Sequence, residues 1–172
     1  LYYEEVLEIV VRATIEKFPL SLITFSNFFI NQLYYDEVLE KAVRATINFS
    51  GNVQGVNPGF IRMNPGLFGP VGLIKKSDKF KDQPYYEEVL EEAVREVLRK
   101  YPEEIFGLVD KFKDQPYTKK ILFEAATKIF KRGTRFTLDW YPELKSLPYY
   151  DDLLRVEKDG KRRTKERRRL RK

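Results

Sequence analysis

The sequence predicts an all-α fold, a right-handed α-solenoid of stacked antiparallel helix pairs, on three observations. A short phrase (Tyr-Tyr, two acids, an aliphatic residue, Leu) recurs at a fixed interval. Each recurrence opens an amphipathic helical pattern. Each of those patterns is followed by a shorter one after a break, usually at Pro. The phrase stands at Tyr2–Leu7, Tyr34–Leu39, Tyr85–Leu90 and Tyr149–Leu154, with a variant, YTKKIL, at Tyr117–Leu122. Its starts lie 32, 51, 32 and 32 residues apart, and removing a 19-residue insertion over 52–70 restores the odd interval. The units are therefore 1–32, 33–83 with the insertion, 84–115, 116–147 and a partial unit 148–157. Together they form one helical-repeat domain over 1–157, followed by a basic tail over 158–172.

Unit one begins with YYEEVLEIVVRATIEK, stopped by Phe18-Pro19, and continues in the apolar run PLSLITFSNFFIN. Unit three shows the design most plainly. From Pro84 to Tyr101, the residues Tyr85, Tyr86, Val89, Leu90, Ala93, Val94, Val97 and Leu98 make one apolar stripe at helical spacing. Asp82 or Gln83 can cap this helix, and Pro84 suits its first position, where a missing N–H costs nothing. Glu87 and Glu88 complement the positive end of its dipole and Arg99 and Lys100 the negative end. Glu91 with Arg95 and Glu96 with Lys100 are i,i+4 pairs. Tyr101-Pro102 ends the helix, because a residue before Pro avoids the α region. A second, shorter helix follows, with Ile105, Phe106, Leu108, Val109 and Phe112 facing inward.

One position in each unit holds Val10, Ala42, Ala93 or Ala125, small residues suited to close helix approach, flanked by Leu7, Leu39, Leu90 and Leu122. Hairpins of this size cannot bury both faces alone, so neighbours must cover one another. Unit four departs from the pattern. Gly133 replaces the Tyr-Pro stop as a helix C-cap, and Pro142 predicts an irregular second helix with Trp140 and Tyr141 packed under it. In the last unit, Asp159-Gly160 is expected to end the helix that opens at Pro148.

The insertion is rich in Gly, Pro and Asn, with two NPG turns at Asn57–Gly59 and Asn64–Gly66. It reads either as a loop lying on its own solenoid or as a partner-binding loop using Phe60, Ile61, Arg62, Leu67 and Phe68. Its glycines fit no phosphate-binding pattern.

Charge divides the chain. From Arg155 to Lys172 there are 11 Lys or Arg against three acids, while the other 154 residues hold 21 basic and 23 acidic side chains. The tail is expected to be a solvated or weakly helical polycation. Its candidate contacts to nucleic acid or an acidic partner are Arg162, Arg163, Lys165, Arg167, Arg168, Arg169, Arg171 and Lys172. No aromatic residue is interleaved with them, so base stacking is not indicated.

The chain has neither His nor Cys, which removes the commonest general base, the commonest metal ligand and any thiol chemistry. Neighbouring glutamates such as Glu87 and Glu88 do not face each other on a helix, and the Tyr pairs read as packing residues with wet hydroxyls. No catalytic residue, metal or cofactor is expected. The apolar run Pro19–Ile30 is too short and too polar to span a membrane. With no secretory signal at its start, the chain is expected to be soluble and cytoplasmic. A chain beginning at Leu1 reads as a fragment or a processed form.

The recurring YYEEVL-type phrase and the helix pairs it opens resemble the α-solenoid superfamily of tetratricopeptide and HEAT-type repeats. They are similar in particular to tandem helical-hairpin repeats of about this length in bacterial proteins. The unit departs from the tetratricopeptide pattern in its 32-residue length and in lacking the Trp and Leu-Gly of the first helix. The resemblance implies a scaffold that binds other proteins along a concave face. Two functions follow as expectations. One is a non-enzymatic interaction scaffold with a basic arm for acidic partners. The other is an RNA-associated component of a ribonucleoprotein whose tail contacts phosphates. The oligomeric state stays open.

Overall fold

The computed structural model describes residues 2–48, 69–132 and 136–169. Every regular element among them is helical, so the fold is all-α. Most of the predicted insertion, including Phe60, Ile61, Arg62, Leu67 and Phe68, lies outside the described residues, as do Gly133, Arg171 and Lys172. No described helix is long and apolar enough to cross a membrane.

The chain forms two compact units, Leu1–Glu96 and Val97–Lys172. The first holds α1 (Tyr2–Lys17), α2 (Pro19–Thr24), α3 (Tyr35–Ile47) and α4 (Gly69–Lys75), with 3-10 turns at Ser26–Phe28 and Ser77–Lys79. Helix α5 (Tyr86–Lys100) runs across the division. The second unit holds a 3-10 helix over Pro102–Lys111, α6 (Thr118–Arg132), 3-10 turns at Leu138–Trp140 and Pro142–Ser146, and α7 (Tyr150–Arg169).

In the first unit α2 packs on α1, α3 and α4, and α3 packs on α1 and α4. Its core is drawn from one face of each: Val11, Leu20, Ile23, Val38, Leu39, Val43, Leu73 and Ile74 are all buried. Two arginines clip the first helices together from outside. Arg12 reaches Glu8 on its own helix (2.8 Å) and Glu37 on α3 (3.2 Å). One unit later, Arg44 repeats the arrangement with Glu40 (2.9 Å) and Glu88 on α5 (3.1 Å). The Glu88 and Glu40 carboxylates raise the Arg44 guanidinium above its ordinary value.

The second unit packs α6 against α7 and against the 3-10 helix. Ile105, Phe106, Ile121, Leu122, Ala125, Leu138, Leu144 and Leu153 close its core.

The repeated phrase makes the same junction at four places. Phe29, Phe80, Phe112 and Leu144 each donate a backbone N–H to the carbonyl three residues earlier, at 3.1 Å in every case. Gln32, Gln83, Gln115 and Leu147 then donate to those residues' carbonyls (3.0–3.1 Å), and Tyr35, Tyr86, Thr118 and Tyr150 donate in turn to theirs (3.0–3.1 Å). Three consecutive i→i+3 bonds thus wind the chain into the next helix, whose first i→i+4 bonds start at Val38, Val89, Ile121 and Leu153. The ring of Phe29 packs on Tyr35 at 5.6 Å and that of Phe80 on Tyr86 at 5.8 Å. Where the third junction has Thr118 instead of Tyr, its buried hydroxyl donates to the Phe112 carbonyl.

Several expectations change. Helix α5 begins at Tyr86, two residues after Pro84, because the winding junction carries the chain past Pro84 before α-type bonds begin. The second helix of unit three is a ten-residue 3-10 helix. Its buried residues fall in rows three apart, Ile105 with Leu108 and Phe106 with Val109 and Phe112, and three residues per turn stacks such rows on one side. Gly69 and Pro70, assigned to the insertion, instead open α4. Pro70 stands where Pro19 and Pro102 stand, early in a second helix, and Gly69 makes the turn into it at φ 65°, a conformation that favours glycine. Val10 is not packed like Ala42, Ala93 and Ala125 but is 56% exposed. Trp140 meets Phe136 edge-on at 5.8 Å yet leaves 63% of its surface in solvent, so only Tyr141 of that pair is half covered. Tyr85 does not wet its hydroxyl: the side chain is buried, and desolvation, then the nearby Glu40, pushes the phenol well above its ordinary value.

Candidate interaction surface on the C-terminal helix

Helix α7 does not stop at Gly160. It runs unbroken from Tyr150 to Arg169. Gly160 instead admits a neighbouring helix, because a Cβ built there would sit 2.3 Å from Phe130 Cβ and 2.9 Å from its Cγ. Only glycine lets α7 come this close to α6. Leu153, Glu157, Gly160 and Thr164 recur at i, i+4, i+7 and i+11 and lie along one face, the first two buried and the others half-buried. Glu157 is a buried carboxylate with two partners. The Leu138 N–H donates to Oε2 (3.3 Å), and the Lys161 ammonium pairs with Oε1. These contacts tie the Leu138–Trp140 turn to α7.

The packed face sets where the cations point. Arg155, Lys158, Arg162, Lys165 and Arg169 recur at spacings of 3, 4, 3 and 4, so they share the opposite face, and all five are exposed. The stripe is about 21 Å long at the helical rise per residue. Arg155 is held by Asp152 (3.3 Å) and Arg162 by Asp159 (3.4 Å), both exposed pairs of small energetic weight. Lys158, Lys165 and Arg169 have no ion-pair partner among the described residues. Arg163 points away from this stripe. With Lys131 it rims a groove of about 410 Å3 between α6 and α7, floored by Phe130 and Val156, with Thr127, Asp159 and Thr164 also on its lining.

The predicted cation set is therefore sorted by the helix. Arg162, Lys165 and Arg169 fall on the stripe and Arg163 on the groove. Arg167 and Arg168 lie within α7. Arg155 and Lys158 complete the stripe but are absent from the predicted set, because they precede the dense run of arginines. The signal that finds them is the 3-4 spacing continued backwards past Gly160. Among the described residues, no cluster of three or more potential ligands is placed to hold a metal ion. No family model, curated protein or solved structure matches this chain.

Proposed function

We propose that the protein is a non-enzymatic interaction scaffold of tandem helical hairpins, a right-handed α-solenoid, that presents α7 as a rigid basic arm to acidic partners. The recurring junction and the Arg–Glu clips at the same place in successive units support the repeat architecture. The observation that carries the function is the five-cation stripe on the solvent face of a helix whose other face is anchored. Rows of like charge cost stability through mutual repulsion, and here no described acid relieves Lys158, Lys165 or Arg169. An acidic surface would relieve it. Because the helix is already ordered, binding it would not cost the entropy of folding a loose tail.

The test uses the full chain, an acidic polypeptide (polyglutamate) and single-stranded RNA as probes, each at low and high salt. Lys158→Glu/Arg162→Glu/Lys165→Glu should abolish polyglutamate binding, whereas reversing three exposed cations elsewhere, Lys79, Lys81 and Lys145, should leave most of it. Equal loss in both variants would show attraction by bulk charge and sink the assignment to α7. Binding of RNA alone, with a log–log salt slope of roughly −0.7 per phosphate contacted, would favour the phosphate-contacting function instead.

A further inference from the structure

The basic end of α7 is itself a repeat. DLLRVEK (152–158), DGKRRTK (159–165) and ERRRLRK (166–172) each place an acid first, Arg fourth and Lys seventh. Lys172 lies outside the described residues, and the other eight of these positions fall on one unbroken helix. The seven-residue period puts Arg155, Lys158, Arg162, Lys165 and Arg169 in the exposed stripe, each about 5 Å beyond the last along the axis. It also sets Asp152, Asp159 and Glu166 in a second row along one edge of that stripe. The opposite edge is formed by positions holding Leu154, Lys161 and Arg168, none of them acidic. Asp152 and Asp159 pair with the arginines three residues on, at 3.3 and 3.4 Å, while Lys158 and Lys165 have no ion-pair partner among the described residues. A helix that only faces solvent is served by any scatter of charge. A period of seven matters where a second helix lies alongside, because it keeps the same rows facing a partner that winds with them.

We infer that the segment docking on this face is an acidic α-helix of a partner protein, with Glu or Asp at alternating three- and four-residue spacing. The inference rests on the reading of α7 as a basic arm. Acids so spaced on a helix rise by the same step as the cations and meet each of them in turn. On an extended chain, side chains of one face lie about 6.6 Å apart and fall most of a step behind over the length of the stripe. The acidic row adds direction. A phosphate chain presents negative charge to both edges of the stripe and is repelled along one, whereas a helix can carry cations on that side and acids on the other. The seam is polar and lies at the surface, so the association is reversible and weakens with salt.

Two alanine-based helical peptides of identical composition, dye-labelled and titrated with the full chain at low salt, test this by fluorescence anisotropy. One sets its glutamates on one face at the alternating spacing, and the other spreads them round the helix. The striped peptide should bind about tenfold more tightly, the sum of roughly three further exposed ion pairs. Exchanging each lysine with the acid that follows it, Lys158→Asp/Asp159→Lys with Lys165→Glu/Glu166→Lys, keeps the composition and net charge of the protein and should erase that preference. All four side chains are exposed, so helicity should not change. Equal binding of the two peptides by wild type, or a preference that survives the exchange, overturns the helical partner and leaves the basic arm standing. Failure of both peptides and of polyglutamate to bind overturns the arm as well. Single-stranded RNA bound more tightly than the striped peptide overturns the inference in favour of a phosphate chain.

Discussion

Replacing Gly160 by Ala tests how α7 is held, because two accounts of this glycine predict opposite signs. If Gly160 were an unstressed point in an exposed helix, Ala would raise stability by roughly 1 kcal/mol through its better helix propensity. In the structure, the new methyl would sit 2.3 Å from Phe130 Cβ. Rotating the Phe130 ring cannot relieve that contact, since Cβ moves only with the backbone, and Phe130 Cα is itself 3.6 Å away. Helices α6 and α7 must separate by roughly an ångström, which forfeits contacts along the whole seam. Overpacking of this kind costs about 1–3 kcal/mol. Set against the propensity gain, the net effect is a loss of up to about 2 kcal/mol, or as much as several degrees in Tm for a chain of this size. The chain's only tryptophan, Trp140, lies in the same unit, so its emission reports that unit's unfolding in urea while circular dichroism reports both. Asp159→Ala, one residue away and exposed, is the control and should move the midpoint little. A Gly160→Ala protein more stable than wild type would refute the close approach and with it the orientation of the cation stripe.

Other perturbations test other joints. Glu157→Ala should destabilise the second unit by about 1–3 kcal/mol, seen in Trp140 emission, because the buried Leu138 N–H loses its acceptor. Ser77→Ala should instead stabilise the first unit, by about 1 kcal/mol in urea denaturation. The Ser77 hydroxyl is buried with no hydrogen-bond partner among the described residues, and Val109 fills the corresponding place in the next unit. Lys41, then Arg12, hold the Glu37 carboxyl down from 4.5 to about 2. A depressed acid contributes stability that is present above its ordinary value and lost as pH falls, so the protection of α1 amides, relative to the intrinsic exchange rate at each pH, should fall between about pH 4.5 and 2. Glu37→Gln should remove that dependence.

The long helices were legible because their apolar residues keep helical spacing over thirteen or more positions, as in Val38, Leu39, Ala42, Val43 and Ile47 of α3. Their first turns were less so. Pro84 looks like a helix start on local grounds, but the backbone bonds from Phe80 and Gln83 decide where the helix begins. The 3-10 helix after Pro102 was readable in principle from its rows three apart, but the same residues also satisfy a loose i, i+3, i+4 pattern. Gly160 was not readable. A glycine that ends a helix and one that admits a neighbouring helix look alike in sequence, and the deciding contact, Phe130, lies 30 residues away in the chain. The exposure of Val10 was hidden for the same reason. Its small neighbours in register are buried by partners that α1 lacks among the described residues.

The basic arm shows why residue type alone underdetermines a binding surface. Read along the chain, the cations from Arg162 onward are one run, and any of them is as good a contact as another. Read around the helix, they separate by direction, and the separation is imposed by residues that carry no positive charge. Leu153, Glu157, Gly160 and Thr164 fix the rotation of α7 about its axis, and that rotation sends Lys158, Arg162, Lys165 and Arg169 to solvent on one side while turning Arg163 toward Phe130. Each residue advances a helix by about 100°, so adding one residue between Gly160 and Arg162 would keep every charge and still break the stripe in two. The positive surface is thus a product of core packing. An acidic partner of the kind proposed would recognise the spacing that the packing sets, and not the count of arginines.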